Sequence, residues 1–118
     1  MPFRFEGLEI WKQARTLAGK VYGLTAGFPR HEDYGLRSQM NRAVNSIGLN
    51  IAEGSGKSSD RAFDYHLDVA LGSTFEVAAA LCFALDQGYI TAEQHRTLSA
   101  ETEQLGKSIN SFRRTLKP

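Results

Sequence analysis

The amino-acid sequence predicts an all-α protein, a left-handed antiparallel four-helix bundle with up-down-up-down topology. Three observations carry that expectation. Apolar residues recur in steps of three and four along nearly the whole chain. Short breaks rich in glycine, proline and serine divide the pattern into four segments. No alternating run flanked by turn residues marks a strand. The 118 residues, 42% hydrophobic and 23% charged, suit a single domain over residues 1–118 built on one core.

The first helix is expected at about residues 8–25, where Ile10, Ala14, Leu17, Val21 and Leu24 form one stripe that runs on to Phe28. Trp11, Ala18 and Tyr22 widen it. Pro29 lacks an N–H and disfavours helical geometry in the residue before it, so the chain turns at Phe28-Pro29. A second helix, at about 33–53, starts beside Glu32 and Asp33, whose negative charge suits the positive end of the helix dipole. Its stripe is Leu36, Met40, Ala43, Val44, Ile47 and Ile51, and Gly54-Ser55-Gly56 supplies glycines for a left-handed cap.

Ser58, Ser59 and Asp60 offer N-caps for a third helix at about 59–87, with Phe63, Leu67, Ala70, Thr74, Val77, Leu81 and Leu85 facing inward. Gly88 is placed to cap its C-terminus. Thr91-Ala92-Glu93-Gln94 reads as a capping box opening a fourth helix at about 91–116. Leu98, Thr102, Leu105, Ile109, Phe112 and Leu116 form its stripe. Connections this short make consecutive helices antiparallel neighbours.

Composition excludes collagen-like, disulfide-stapled and mostly disordered classes. The longest unbroken apolar run, Val77 to Leu85, is far short of the ~20 residues that span a bilayer, so no membrane role is expected. Pro2-Phe3-Arg4-Phe5-Glu6-Gly7 contains no apolar signal-peptide core, which points to the cytoplasm. Cys82 has no second cysteine to bridge and sits in an apolar run, so it is expected in the core. The net charge of +1 conceals a split: residues 1–57 carry +3, residues 58–100 carry −4 and residues 101–118 carry +2. A pI near 7.9 is well below that of a dedicated nucleic-acid binder.

Patterns suggestive of chemistry dissolve on inspection. Gly56-Lys57-Ser58 resembles the end of a phosphate-binding loop, but Ile51 occupies the position of the required first glycine, and a helix precedes the sequence instead of a strand. A carboxylate-bridged metal pair in a bundle needs Glu-x-x-His, and none of His31, His66 and His95 lies three residues after a glutamate. Asp64 and Asp68 share a face and read as solvated surface. No catalytic residue, cofactor or metal ligand is predicted, and the chain is not expected to be an enzyme.

Apolar surface in the wrong place is more informative. At 100° per residue, Tyr65, Val69 and Phe83 align on the side of the third helix away from its core stripe, with Gly72 and Ala79 nearby. Leu49 likewise points away from Met40 and Ile47, beside Arg42, Asn45 and Glu53. Scattered exposed hydrophobes are common, but an aligned second stripe predicts a partner, and Leu49, Tyr65, Val69 and Phe83 are the expected self-association residues. Lys12, Arg15 and Lys20 project from the first helix, Arg42 from the second, and Lys107, Arg114 and Lys117 from the fourth. Repeated around an oligomer, these seven would offer RNA or DNA a multivalent basic surface. The plain alternatives are a solvated or intersubunit face, and a protein-binding scaffold with no nucleic-acid role.

Trp11, Phe28-Pro29, Glu32, Tyr34-Gly35-Leu36, Gln39, Arg42-Ala43, Ser46-Ile47 and Asn50-Ile51-Ala52-Glu53-Gly54 together resemble the bacterial 23S rRNA-intervening-sequence proteins. Ala70, Gly72-Ser73, Glu76 and Gly88-Tyr89 continue the resemblance in order, while the fourth helix matches by pattern alone. The resemblance implies an antiparallel four-helix bundle assembling as a homopentameric ring, with no established catalytic residues. It also implies kinship with accessory proteins of diversity-generating retroelements, which bind nucleic acid and a reverse transcriptase.

Within the shared motif, Asn50 lies at the edge of the core face, where its amide can bond a neighbouring helix. Glu53 can pair with Arg42 or receive N–H groups from the next segment, and Gly54 ends the helix. Gly72 is expected to let another helix approach closely. Two departures stand out: Asn41-Arg42 where relatives often carry a basic pair, and Gly48 where they often carry proline. The first lowers the positive charge available to nucleic acid.

Overall fold

Four apolar stripes on one chain of this length can be buried together only by turning them toward a common axis, and the computed structural model, which describes residues 2–117, shows that arrangement. The helices are α1 (Glu9–Thr25), α2 (Leu36–Ser55), α3 (Asp60–Asp86) and α4 (Ala92–Arg113). Short 3₁₀ turns at Arg4–Gly7 and Arg30–Glu32 precede α1 and α2, and no strand occurs among the described residues. The bundle measures 44 × 22 × 22 Å, a length set by the 27 residues of α3 at about 1.5 Å each. Each helix packs against two others: α1 on α2 and α4, α3 on α2 and α4, with the α2–α3 contact the most extensive.

Ile10, Leu17, Val21, Met40, Val44, Ile47, Ile51, Phe63, Leu67, Val77, Leu81, Leu105 and Ile109 are buried in one continuous core. Thr74 and Thr102 join it because their hydroxyls donate back to the carbonyls of Leu71 at 2.6 Å and Leu98 at 2.7 Å, so neither hydroxyl is left unpaired. An 18-residue window of α3 has a mean hydropathy of 1.6, and by length and composition the helix could cross a membrane. In the bundle 44% of that window is buried, and α3 is the core helix between α2 and α4.

Helix ends follow local chemistry. Ser59 Oγ accepts the Ala62 N–H at 3.1 Å, and Thr91 and Gln94 form the reciprocal capping box at 3.0 and 2.8 Å. Gly88, at φ +74°, ends α3 in a left-handed turn: its N–H bonds Leu85 O and that of Tyr89 bonds Ala84 O, at 3.0 and 2.9 Å. Three sequence expectations are corrected. Helix α2 begins at Leu36, not 33, because the Glu32 carboxylate reaches forward to accept the Leu36 N–H at 2.8 Å and leaves 33–35 as a turn. Helix α4 ends at Arg113, with Leu116 partly buried against the core. Gly54 is not a left-handed cap: α2 continues through Ser55, and among described glycines only Gly88 has positive φ.

The actual role of Gly54 is close approach. A Cβ there would lie 2.8 Å from both His66 Cβ and Phe63 Cδ1, so the bare backbone lets α2 and α3 meet. Gly72, expected to serve that purpose, has open space at its Cβ position. Cys82 is exposed, not buried, with Sγ 3.6 Å from His95 Nε2.

Candidate functional site

Because α2 and α3 are antiparallel and close, their facing edges align the residues of the shared motif. Asn50 Oδ1 lies 3.1 Å from His66 Nδ1, and since an amide oxygen only accepts, Nδ1 carries the proton. The Asn50 amide nitrogen donates to Ser46 O at 2.9 Å and Ser46 Oγ at 3.1 Å, and Ser46 Oγ lies 2.9 Å from Ser73 Oγ. Glu53 does not pair with Arg42, three turns away on the same helix; its Oε2 lies 3.7 Å from His66 Nε2 and 3.8 Å from Lys57 Nζ. Sequence reasoning missed His66, whose side chain is only 13% exposed. Its one sequence signal is a position a sixth of a turn off the stripe of Phe63 and Ala70. Lys57 in the Gly56-Lys57-Ser58 link is thus tied into a helix-to-helix turn.

Outside this polar ladder lies apolar surface. Leu49, Tyr65 and Phe83 are 67%, 66% and 60% exposed, with Val69 at the margin. Leu49 lines a groove with Arg42, Asn45, Asn50 and, from α3, Glu76. The Asn50–His66 pairing brings Leu49 to the level of Tyr65 and Val69. Phe83 stands farther along the same stripe, about 27 Å from Tyr65 by helical rise. The structure therefore sets three of the four residues at one level of the bundle, with the fourth farther along α3.

A second apolar surface escaped sequence reasoning. Phe75 is 72% exposed and borders a groove of about 360 Å3 between α3 and α4, floored by Thr74, Ala78, Thr102 and Gly106. The signal was present in the spacing of Leu71, Phe75 and Ala78, a quarter turn off the core stripe.

The seven basic residues do not form one face. Lys12, Arg15 and Lys20 line a shallow concavity on α1 with Thr16 and Gly19. Lys12 pairs with Glu9 at 3.5 Å, Lys20 with Glu101 of α4, and Arg15 lies 5.5 Å over the Trp11 ring. Lys107 pairs with Glu103 at 3.5 Å, Arg114 donates to Ser111 Oγ at 3.1 Å, and the Lys117 N–H bonds Asp60 at 3.0 Å. Arg42 sits apart on the α2–α3 groove.

Asp64 and Asp68 are not simply solvated. Arg113 of α4 grips both Asp64 oxygens at 2.8 and 3.2 Å and Asp68 at 3.2 Å. The guanidinium hydrogen bond holds Asp64 below the usual carboxylate range, and Asp64 in turn raises Arg113. At the opposite end, Glu32 Oε2 accepts the Tyr89 hydroxyl at 2.9 Å, His31 Nε2 lies 3.0 Å from that hydroxyl, and Arg37 donates to the carbonyls of Thr25 and Phe28. These bonds satisfy the orphan carbonyls at the end of α1 and join both turns at that end of the bundle. No group of three or more potential metal ligands occurs among the described residues.

Four amphipathic helices, polar cross-links at both ends and two exposed apolar flanks on α3 define a small antiparallel bundle protein whose outer faces are its distinctive feature. The model of the 23S rRNA-intervening sequence protein family matches residues 6–111, and the chain belongs to that family. A Bacteroides thetaiotaomicron VPI-5482 protein of unknown function, described as from the S23 ribosomal protein family and solved at 1.70 Å, shares the fold. Its TM-score is 0.82 at 23% identity, covering 88% of this chain and 97% of that one. No curated protein matches the chain.

Proposed function

We propose that the protein is a non-enzymatic scaffold that assembles with itself through the α2–α3 face. The observation that carries this reading is the exposure of Leu49, Tyr65 and Phe83 together with Val69 on one side of the bundle. Aligned hydrophobes over that length favour a protein partner over water. A closed ring needs two different surfaces per subunit meeting head to tail, and five is the number of subunits that the sequence resemblance implies. Light scattering at micromolar concentration is expected to give a multiple of 13.1 kDa. Val69→Glu with Phe83→Glu should reduce the mass to that of one chain while far-ultraviolet circular dichroism stays helical. A wild-type mass of 13.1 kDa would overturn the reading.

A second reading, binding of RNA or DNA, is favoured by the clustering of Lys12, Arg15 and Lys20 in one concavity on α1. Repetition around an assembly would multiply phosphate contacts and offset weak individual sites. Affinity for a single-stranded RNA or duplex DNA probe should then fall as salt rises, with a slope of roughly −0.7 to −0.9 per phosphate neutralised. Neutralising the three α1 cations should flatten that slope more than neutralising Arg42, Lys107, Arg114 and Lys117. Failure to retard either probe at low salt leaves the protein-binding scaffold alone. A reverse transcriptase partner rests only on the retroelement kinship that the sequence resemblance implies, and calls for co-purification with any such enzyme encoded beside the gene.

A further inference from the structure

We infer that the α3–α4 groove is the socket into which a second copy of this chain inserts its α2–α3 face, so that subunits join head to tail across opposite flanks of α3. The inference rests on the self-association reading above and adds which surface receives which.

Three features favour this pairing, and the first separates it from contact of the α2–α3 face with its own copy. The first is shape. The groove is floored by small residues, Thr74 and Ala78 of α3 and Thr102 and Gly106 of α4, whereas the opposite flank presents large side chains, Tyr65 and Leu49, that stand more than half out of the surface. Knobs against knobs would leave the groove and Phe75 exposed; knobs against the groove cover both surfaces.

The second is charge. On the α2–α3 face Arg42 and Glu76 line one depression, and no oppositely charged group lies within 4.0 Å of either among the described residues. The groove carries Glu103 and Lys107 one helical turn apart on its rim, paired with each other at 3.5 Å and both well exposed. Each surface thus offers one carboxylate and one cation, and a junction that sets Arg42 on Glu103 and Glu76 on Lys107 exchanges the exposed Glu103–Lys107 pair for two pairs across the interface and gives Arg42 and Glu76 partners. The third is economy of surface: Phe75, 72% exposed, borders the α3–α4 groove and is covered when that groove is filled.

Complementation in solution tests the inference. A face variant, Val69→Glu with Phe83→Glu, retains its groove; a groove variant, Ala78→Glu, retains its face. Each alone should sediment as a single chain at concentrations where wild type is assembled. Mixed in equal amounts they should form a one-to-one pair that goes no further, because the pair has one intact junction and two broken surfaces. Phe75→Glu provides a second groove variant if Ala78→Glu loses helicity. Charge reversal supplies an independent readout: Glu103→Arg should lower the assembled mass, and adding Arg42→Glu in the same chain should restore it.

A groove variant that keeps the wild-type mass, or two single-chain variants that stay single when mixed, would overturn the head-to-tail pairing and leave self-association standing. A monomeric wild type would instead remove self-association itself, so the two failures are distinct.

Discussion

The Tyr89 hydroxyl donates to Glu32 Oε2 at 2.9 Å, linking the turn after α3 to the turn before α2 across 57 positions of sequence. Glu32 uses its other oxygen to accept the Leu36 N–H, so one carboxylate both starts a helix and fastens the far end of the bundle. Gly35 permits this, since a Cβ there would stand 2.5 Å from Glu32 Oε1.

That arrangement gives stability a pH dependence at both extremes. The Leu36 N–H, then the Tyr89 hydroxyl, hold the Glu32 carboxyl below its ordinary value against the opposing effect of burial. Its contribution is present above the unfolded-state value near 4.5 and disappears as pH falls through the lower folded value. The Glu32 hydrogen bond raises the Tyr89 phenol above 10.0, so that contribution is present below pH 10 and is lost as pH rises past the folded value. Tyr89→Phe should therefore move the acid unfolding midpoint upward and flatten the alkaline loss, as followed by circular dichroism across pH.

The Arg113 clamp on Asp64 and Asp68 joins α4 to α3 near the other end. Arg113 and Asp64 side chains are 23% and 30% exposed, while Asp68 is 68% exposed, so solvent screens much of the attraction. Asp64→Asn should cost about 0.5–1 kcal/mol in urea unfolding at neutral pH, less in high salt. The Asp64 contribution is present above its unfolded value near 3.8 and is lost as pH falls through the lowered folded value, so the mutant and wild type should converge in acid.

Two glycines of α2 should respond oppositely to alanine. At Gly48 a Cβ would make ordinary contacts at 3.7 Å with Ala14 and 3.8 Å with Trp11. Gly48→Ala is expected to stabilise by about 0.5–1 kcal/mol through helix propensity. At Gly54 the 2.8 Å approaches to His66 and Phe63 force α2 and α3 apart, and Gly54→Ala should lower the melting temperature despite the same gain in propensity.

Leu67 and Ile109 are both fully buried in the core. Replacing either by alanine should cost about 2–5 kcal/mol in denaturant unfolding, the range expected when a large side chain leaves a cavity.

Periodicity and caps are local properties, and they made the four stripes, the capping box at Thr91 and the left-handed turn at Gly88 legible before any coordinates. Each depends on residues no more than a turn apart, where side-chain spacing and backbone geometry already decide the outcome. Tertiary structure decided the rest. Glu53 faces His66 instead of Arg42, Asp64 meets Arg113, and Cys82 lies outside the core, because helix rotation and the level at which antiparallel helices meet set which flank becomes a contact. Gly54 looked like a helix stop and became a contact point because Phe63 and His66 of the next helix stand against it. The face containing Leu49, Tyr65 and Val69 could be inferred from periodicity, but the groove beside Phe75 required two helices to be placed side by side. A stripe belongs to one helix and is written in its spacing, whereas a groove exists only between two.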